Sequence, residues 1–227
     1  MIVRLTSGLQ WGLAMLERIL PEAARRSGDN VALIAGGRSF SYAQLDELSD
    51  AFAGALRSRG VGVGDRVSIY SQNRWEWIVA YHGILKAGCV VNPINVMLTP
   101  EEVVFVLNDC GSRAIVTSLD KAAAVTQLRS EAPALENVIV FGDGPEDTIA
   151  FEPLLAAGER AEAVAEPSPT SLSTIAYTSG TTGHPKGAMQ SHLAVYLNCA
   201  LTAAMHVRTV DDIVVTALPA RTSTATW

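Results

Sequence analysis

Cysteine is scarce in this sequence. There are three, Cys89, Cys110 and Cys199, with no CxxC pair among them. An odd, widely spaced set excludes a disulfide framework and a zinc ribbon, and reads as reduced thiols in a cytoplasmic protein. The four histidines, His82, His184, His192 and His206, show no HExxH spacing, so no metal site is indicated. Charged residues make up only 18% of the chain, the formal net charge is −6, and Lys and Arg form no run. That balance offers no groove for nucleic acid and little attraction to an anionic membrane. No apolar run reaches the roughly 20 residues of a membrane span. The nearest, Ile78 to Leu98, is broken by His82, Lys86, Asn92, Pro93 and Asn95. A leader peptide is also disfavoured. The apolar stretch Leu9–Leu16 contains Gln10 and runs into Glu17-Arg18, while Leu13, Leu16, Ile19 and Leu20 recur at helical spacing. Internal repeats are absent.

Apolar material is plentiful. Of 227 residues, 48% are hydrophobic, enough for a sizeable core in one or two domains. Two helix starts are signposted. Ser41-Tyr42-Ala43-Gln44 has the capping-box form and leads into Leu45, Leu48, Phe52 and Leu56, with Gly60 as a stop. Thr99-Pro100-Glu101-Glu102 combines a Thr cap, Pro at the first helical position and Glu three residues after the cap. Further helices are expected over Arg74–Ala87, Lys121–Ser130 and Leu193–His206. Strands are expected over Val31–Ala35, Arg66–Tyr70, Cys89–Val91, Ala114–Thr117, Val138–Phe141, Thr174–Thr178 and Ile213–Ala217. Several are apolar on consecutive positions, which suits strands buried on both faces. Alternation of such strands with helices implies an α/β fold with a largely parallel sheet flanked by helices. Gly158–Ser173 is polar and proline-bearing, a surface connection. It divides a first α/β subdomain, residues 1–165, from the start of a second, residues 166–227.

Beyond that connection lies the segment with the most chemistry. A strand ending in Tyr177 runs into Thr178-Ser179-Gly180-Thr181-Thr182-Gly183-His184-Pro185-Lys186-Gly187. Gly180, Gly183 and Gly187 allow backbone conformations and close approaches closed to other residues. Successive N–H groups in such turns form a nest for anionic oxygens. Thr178, Ser179, Thr181 and Thr182 add hydroxyls, and Lys186 adds a full charge. Pro185 stiffens the loop, and His184 occupies a position that asks only for a turn. The Walker A pattern is excluded, because the lysine follows Pro and precedes Gly. The competing reading is a plain hydroxyl-rich turn between two strands.

The run YTSGTTGHPKG resembles the signature loop of the adenylate-forming superfamily: acyl-CoA synthetases, firefly luciferase and the adenylation domains of peptide synthetases. The resemblance extends through Ala188–His192, similar to the strand and turn that follow the loop in that family. Upstream it takes in Gly64-Asp65-Arg66-Val67, Asn73, Trp77, Gly83–Gly88 and Asn92-Pro93, and it covers nearly the whole chain to about Pro219. It implies the N-terminal part of an ATP-dependent acyl-CoA synthetase, an AMP-forming acid–thiol ligase. A carboxylate attacks the α-phosphorus of ATP, and the thiol of coenzyme A then displaces AMP. The loop would hold the β- and γ-phosphates, with Mg²⁺ bridging them. Thr178, Ser179, Gly180, Thr181, Thr182, Gly183 and Lys186 are the expected phosphate-binding residues, with Thr181, Thr182 and Lys186 foremost. His192 is implied near the acyl pocket, with a helix-capping histidine as the competing role.

The resemblance also implies what these residues do not contain: the adenine, ribose and metal-binding segments and the catalytic lysine of the family's later motifs. The isolated chain is therefore expected to be inactive, and exposed apolar surface is expected to drive its self-association. An adenylation domain of a peptide-synthetase-like enzyme and a catalytically inactive fragment are the alternatives. After a strand ending in Leu-Pro the resembled family has a histidine followed three residues later by glycine. Ala220–Trp227 lacks it. With a suitable choice of codons a one-base shift restores it, so a frame-shifted tail is expected, with an appended foreign segment as its rival.

Overall fold

The capping boxes at Ser41 and Thr99 and the apolar strands between them organise the computed structural model, which describes residues 15–157, 167–178, 184–209 and 212–215. The elements run α1 (Leu16–Ser27), β1 (Val31–Ala35), β2 (Arg38–Ser41), α2 (Tyr42–Ser58), β3 (Arg66–Tyr70), α3 (Trp75–Lys86), β4 (Val90–Pro93) and α4 (Pro100–Cys110). They continue with β5 (Ser112–Ser118), α5 (Leu119–Leu128), β6 (Asn137–Phe141), β7 (Ile149–Ala150), α6 (Phe151–Ala157), β8 (Leu172–Thr178), β9 (Lys186–Ser191) and α7 (His192–Met205). The stretch before Met15, the connection over 158–166, the loop residues Ser179–Gly183, and Thr216 onward to the tail Ala220–Trp227 lie outside the described residues.

Among the described residues seven strands form one sheet in the order β7-β6-β5-β3-β4-β8-β9. All neighbouring pairs are parallel except β8 with β9. The α/β architecture expected from the sequence is thus present. Both faces of the inner strands β3 to β6 are covered. One carries α1, α2, α3 and α6, whose Leu16, Leu20, Phe52, Leu56, Ile84 and Phe151 pack on Val67, Ile69, Val116 and Phe141. The other carries α4 and α5, whose Val103, Val106, Leu107 and Val125 pack on Tyr70, Ile115, Val138, Ile175 and Tyr177. The period-2 pleat sends alternate strand residues to the two layers, which explains the unbroken apolar runs.

Strand β8 joins the sheet through β4, with Val91 opposite Thr174. The chain on both sides of the expected division at 165/166 therefore contributes to one sheet.

Two helices are fixed by the chemistry the sequence displays. In α2 the Ser41 hydroxyl accepts from the Gln44 amide, and the Gln44 side chain accepts from the Ser41 amide at 2.8 Å. In α4 Thr99 and Glu102 do the same, and Gly111 ends the helix in the left-handed region at φ 61°. Helices α2 and α3 are locked together by the ammonium of Lys86, 2.6 Å from Asp46 and 2.8 Å from Asp50.

Two expected strands differ. Val31–Ala35 is a strand, but it pairs antiparallel with β2 in a separate two-stranded sheet. Gly36 and Gly37, at φ 58° and 76°, make the tight turn between them, the conformation that a two-residue hairpin requires and glycine provides. Ile213–Ala217 is not a strand over its described part: residues 212–215 have no regular structure, and Ile213 and Val215 are exposed. Among the described residues the edge of the sheet is β9 instead.

Candidate functional site

The expected loop is the connection of a hairpin. Strands β8 and β9 pair antiparallel, with Tyr177 opposite Gly187 and Thr178 opposite Lys186. Thr178 and Lys186 thus stand across from each other at the mouth of the loop, both exposed. Among the described residues no carboxylate pairs with the Lys186 ammonium. Ser179, Gly180, Thr181, Thr182 and Gly183 lie outside the described residues.

The stem is buried where the loop begins. Ser173, Thr174, Ile175 and Tyr177 are buried. The Tyr177 hydroxyl donates to Asp109 Oδ2 at 2.5 Å. Burial first, and then the hydrogen bond to the Asp109 carboxylate, push this phenol far above its ordinary range, so it stays a donor. At the far stem the His184 ring lies on Phe105, centroids 4.6 Å apart and planes within 13°. The position of His184 therefore asks for more than a turn. Phe105 and Asp109 were not marked by the sequence as site residues. They sit in α4, and only tertiary packing brings them to the hairpin.

Gly187 also differs from expectation. It is not among the glycines with positive φ. A Cβ there would lie 2.9 Å from Ile175 Cγ2, 3.0 Å from Tyr177 Cζ and 3.2 Å from the Tyr177 hydroxyl. Its missing side chain leaves room for the Tyr177 ring, whose hydroxyl reaches Asp109.

His192 is the first residue of α7 and is buried. The cap of that helix belongs to Ser191, whose hydroxyl accepts from the Ala194 amide at 3.2 Å. His192 Nδ1 faces the Leu16 amide at 3.4 Å and Glu17 Oε2 at 3.2 Å. One nitrogen cannot accept from the amide and donate to the carboxylate together: a bare Nδ1 serves the first and an Nδ1–H the second. With either contact His192 ties α1 to α7.

A separate apolar cavity of about 470 Å³ lies between α1, α2, α3 and α7. Its walls include Leu20, Leu45, Ile78, Tyr81, Val195 and Tyr196, with neither Lys nor Arg in the lining. His82 in that wall is held at about 3 by burial, with Lys86 adding to the effect, so it is neutral at physiological pH. A phosphate group finds no cation there. Among the described residues no three His, Cys, Asp or Glu side chains gather as a metal site.

The fold and hairpin together define an α/β protein with a glycine- and hydroxyl-rich loop between a buried strand and the antiparallel edge of its sheet. The chain belongs to the AMP-binding enzyme family, whose pattern it matches from residue 20 to residue 226. It is 32% identical over 176 residues to a 3-hydroxybenzoate/4-hydroxybenzoate–CoA ligase of Thauera aromatica, covering 77% of this chain and 34% of that protein. It is 34% identical over 178 residues to a medium/long-chain-fatty-acid–CoA/3-oxocholest-4-en-26-oate–CoA ligase of Mycobacterium marinum, covering 74% of this chain and 32% of the relative. The apo structure of Mycobacterium smegmatis MbtA superposes with a TM-score of 0.85 at 29% identity, over 91% of this chain and 39% of that one. The chain thus spans about a third of the length of the curated relatives it matches. No helix among the described residues is long and apolar enough to cross a membrane.

Proposed function

We propose that this chain supplies the phosphate-gripping part of a cytoplasmic, ATP-dependent acid–thiol ligase that activates a carboxylic acid as its acyl-adenylate and passes it to coenzyme A. One observation carries the reading: Lys186 and Thr178 face each other, exposed, across the mouth of a loop anchored on a buried strand. The two curated relatives named above are CoA ligases, one of hydroxybenzoates and one of fatty acids and 3-oxocholest-4-en-26-oate, which supports the same chemistry.

In this reading Lys186 and the hydroxyls and amides of Thr178–Gly183 hold the β- and γ-phosphates. They neutralise charge that grows as the carboxylate oxygen bonds to the α-phosphorus and the bond to pyrophosphate breaks. The sulfur of coenzyme A then attacks the acyl carbon and AMP leaves. Mg²⁺ arrives on the phosphates, and residues 166–227 begin the unit that carries the loop. His192 serves on the substrate side by holding α1 against α7.

Titration of the chain with inorganic pyrophosphate and Mg²⁺ tests the reading. A lost charge-assisted contact of about 1.5 to 3 kcal/mol predicts that Lys186→Ala weakens binding by roughly ten-fold or more. Equal affinity in the variant refutes the assignment. The chain alone, given ATP, coenzyme A and a panel of aromatic and fatty acids, releases no pyrophosphate over many turnovers; sustained release overturns that part.

A further inference from the structure

Helix α4 touches the hairpin at both ends of its loop. Phe105 and Asp109 are four residues apart and so share one face of α4. Asp109 holds Tyr177, the residue before Thr178, at 2.5 Å. Phe105 stacks on His184, two residues before Lys186, at 4.6 Å. The two contacts therefore bracket the segment between Thr178 and Lys186.

The face is itself immobilised. Val103, Val106 and Leu107 of α4 are buried under the sheet. The helix start is closed by the Thr99–Glu102 capping box. Its end is gripped by Arg66 of β3, whose Nε donates to the Cys110 carbonyl at 2.5 Å and whose Nη2 donates to the Gly111 carbonyl at 2.6 Å. A line of contacts thus runs from central strand β3 through the end of α4 to Tyr177 and His184. Gly187 keeps the path of the Tyr177 ring open.

We propose that Phe105 and Asp109 are positioning residues for the phosphate-gripping hairpin. They hold its two stems so that Thr178 and Lys186 are presented in one geometry before any phosphate arrives. Less ordering is then left to be done on binding. The role rests on the reading of the loop as a phosphate site, and the experiment separates the two.

The test is nuclear magnetic resonance on the 227-residue chain and on Phe105→Leu, Phe105→Trp and Asp109→Asn, with Mg²⁺ and inorganic pyrophosphate as the probe. In the unaltered chain the ring protons of His184 are displaced upfield by the facing Phe105 ring. Phe105→Leu removes that displacement. Amide exchange at Thr178 and Lys186 rises about five-fold or more in Phe105→Leu and Asp109→Asn, while β3 and β5 are unchanged. Pyrophosphate affinity falls about three- to ten-fold in both. Phe105→Trp, which keeps the stack, restores exchange and affinity. Unchanged exchange at Thr178 and Lys186, a rise spreading through β3 and β5, or failure of Phe105→Trp to rescue overturns the proposal. Pyrophosphate binding indifferent to both Phe105→Leu and Asp109→Asn overturns the positioning role alone. An exchange response in a chain that binds no pyrophosphate overturns the phosphate reading instead.

Discussion

Replacing Gly187 by alanine places a methyl group where the structure has room for none. The new carbon would stand 2.9 Å from Ile175 Cγ2 and 3.0 Å from Tyr177 Cζ, both on buried side chains. Two outcomes are open to the protein. The ring can stay, and overpacking of this kind costs about 1 to 3 kcal/mol. Alternatively the ring moves and its bond to Asp109 is lost, at about 1.5 to 3 kcal/mol for a bond to a charged group, less where water reaches the carboxylate. Alanine recovers roughly 0.5 to 1 kcal/mol of backbone entropy in a strand. The net expectation is a loss of about 1 to 2 kcal/mol, or about 2 to 8 °C in Tm for a chain of this size. A double-mutant cycle in urea tells the two apart. In a Tyr177→Phe background the bond to Asp109 is already gone, so if the ring moves, Gly187→Ala costs less there, with a coupling of about 0.5 kcal/mol or more. If Gly187→Ala is neutral or stabilising in the unaltered chain, the steric account of this glycine is wrong.

Other consequences follow from the same packing. Gly83→Ala should destabilise by about 1 to 2 kcal/mol despite the better helix propensity of alanine, because its Cβ would meet Phe52 Cδ1 at 2.8 Å and the Ser49 carbonyl at 2.9 Å. Gly62→Ala, with nothing within 4 Å, should not, and a urea midpoint for each decides. Burial pushes Cys89 up to about 12 and Cys110 to about 11, so alkylation near pH 8 should reach the half-buried Cys199 first, as peptide mass mapping would show. The exposed edge strand β9, with Met189, and the exposed Leu201, Met205 and Ile213 predict concentration-dependent self-association on size exclusion; a monomer at every concentration contradicts it.

What was legible in the sequence was whatever local chemistry decides. The capping boxes at Ser41 and Thr99 announce α2 and α4, because the same few residues make and satisfy the bonds. Continuous apolar runs announce β3, β5 and β6 because both faces are covered. Three features depended on more. Val31–Ala35 looks like its parallel neighbours, but Gly36-Gly37 turns it into a hairpin. Strand β7, of two residues, is too short to carry a pattern. The anchors of the hairpin were invisible, since Asp109 lies 68 residues from Tyr177 and nothing but the packing of α4 against β8 joins them.

The most direct test of the phosphate hairpin is to map where Mg²⁺ and inorganic pyrophosphate bind, by following backbone amide shifts of the chain during titration. The account predicts that the shifts concentrate at Thr178, Lys186 and Gly187, weaken with added salt, and largely vanish in Lys186→Ala. Shifts centred instead on α1 and α7 around the apolar cavity, or a hairpin that does not respond at all, would contradict it.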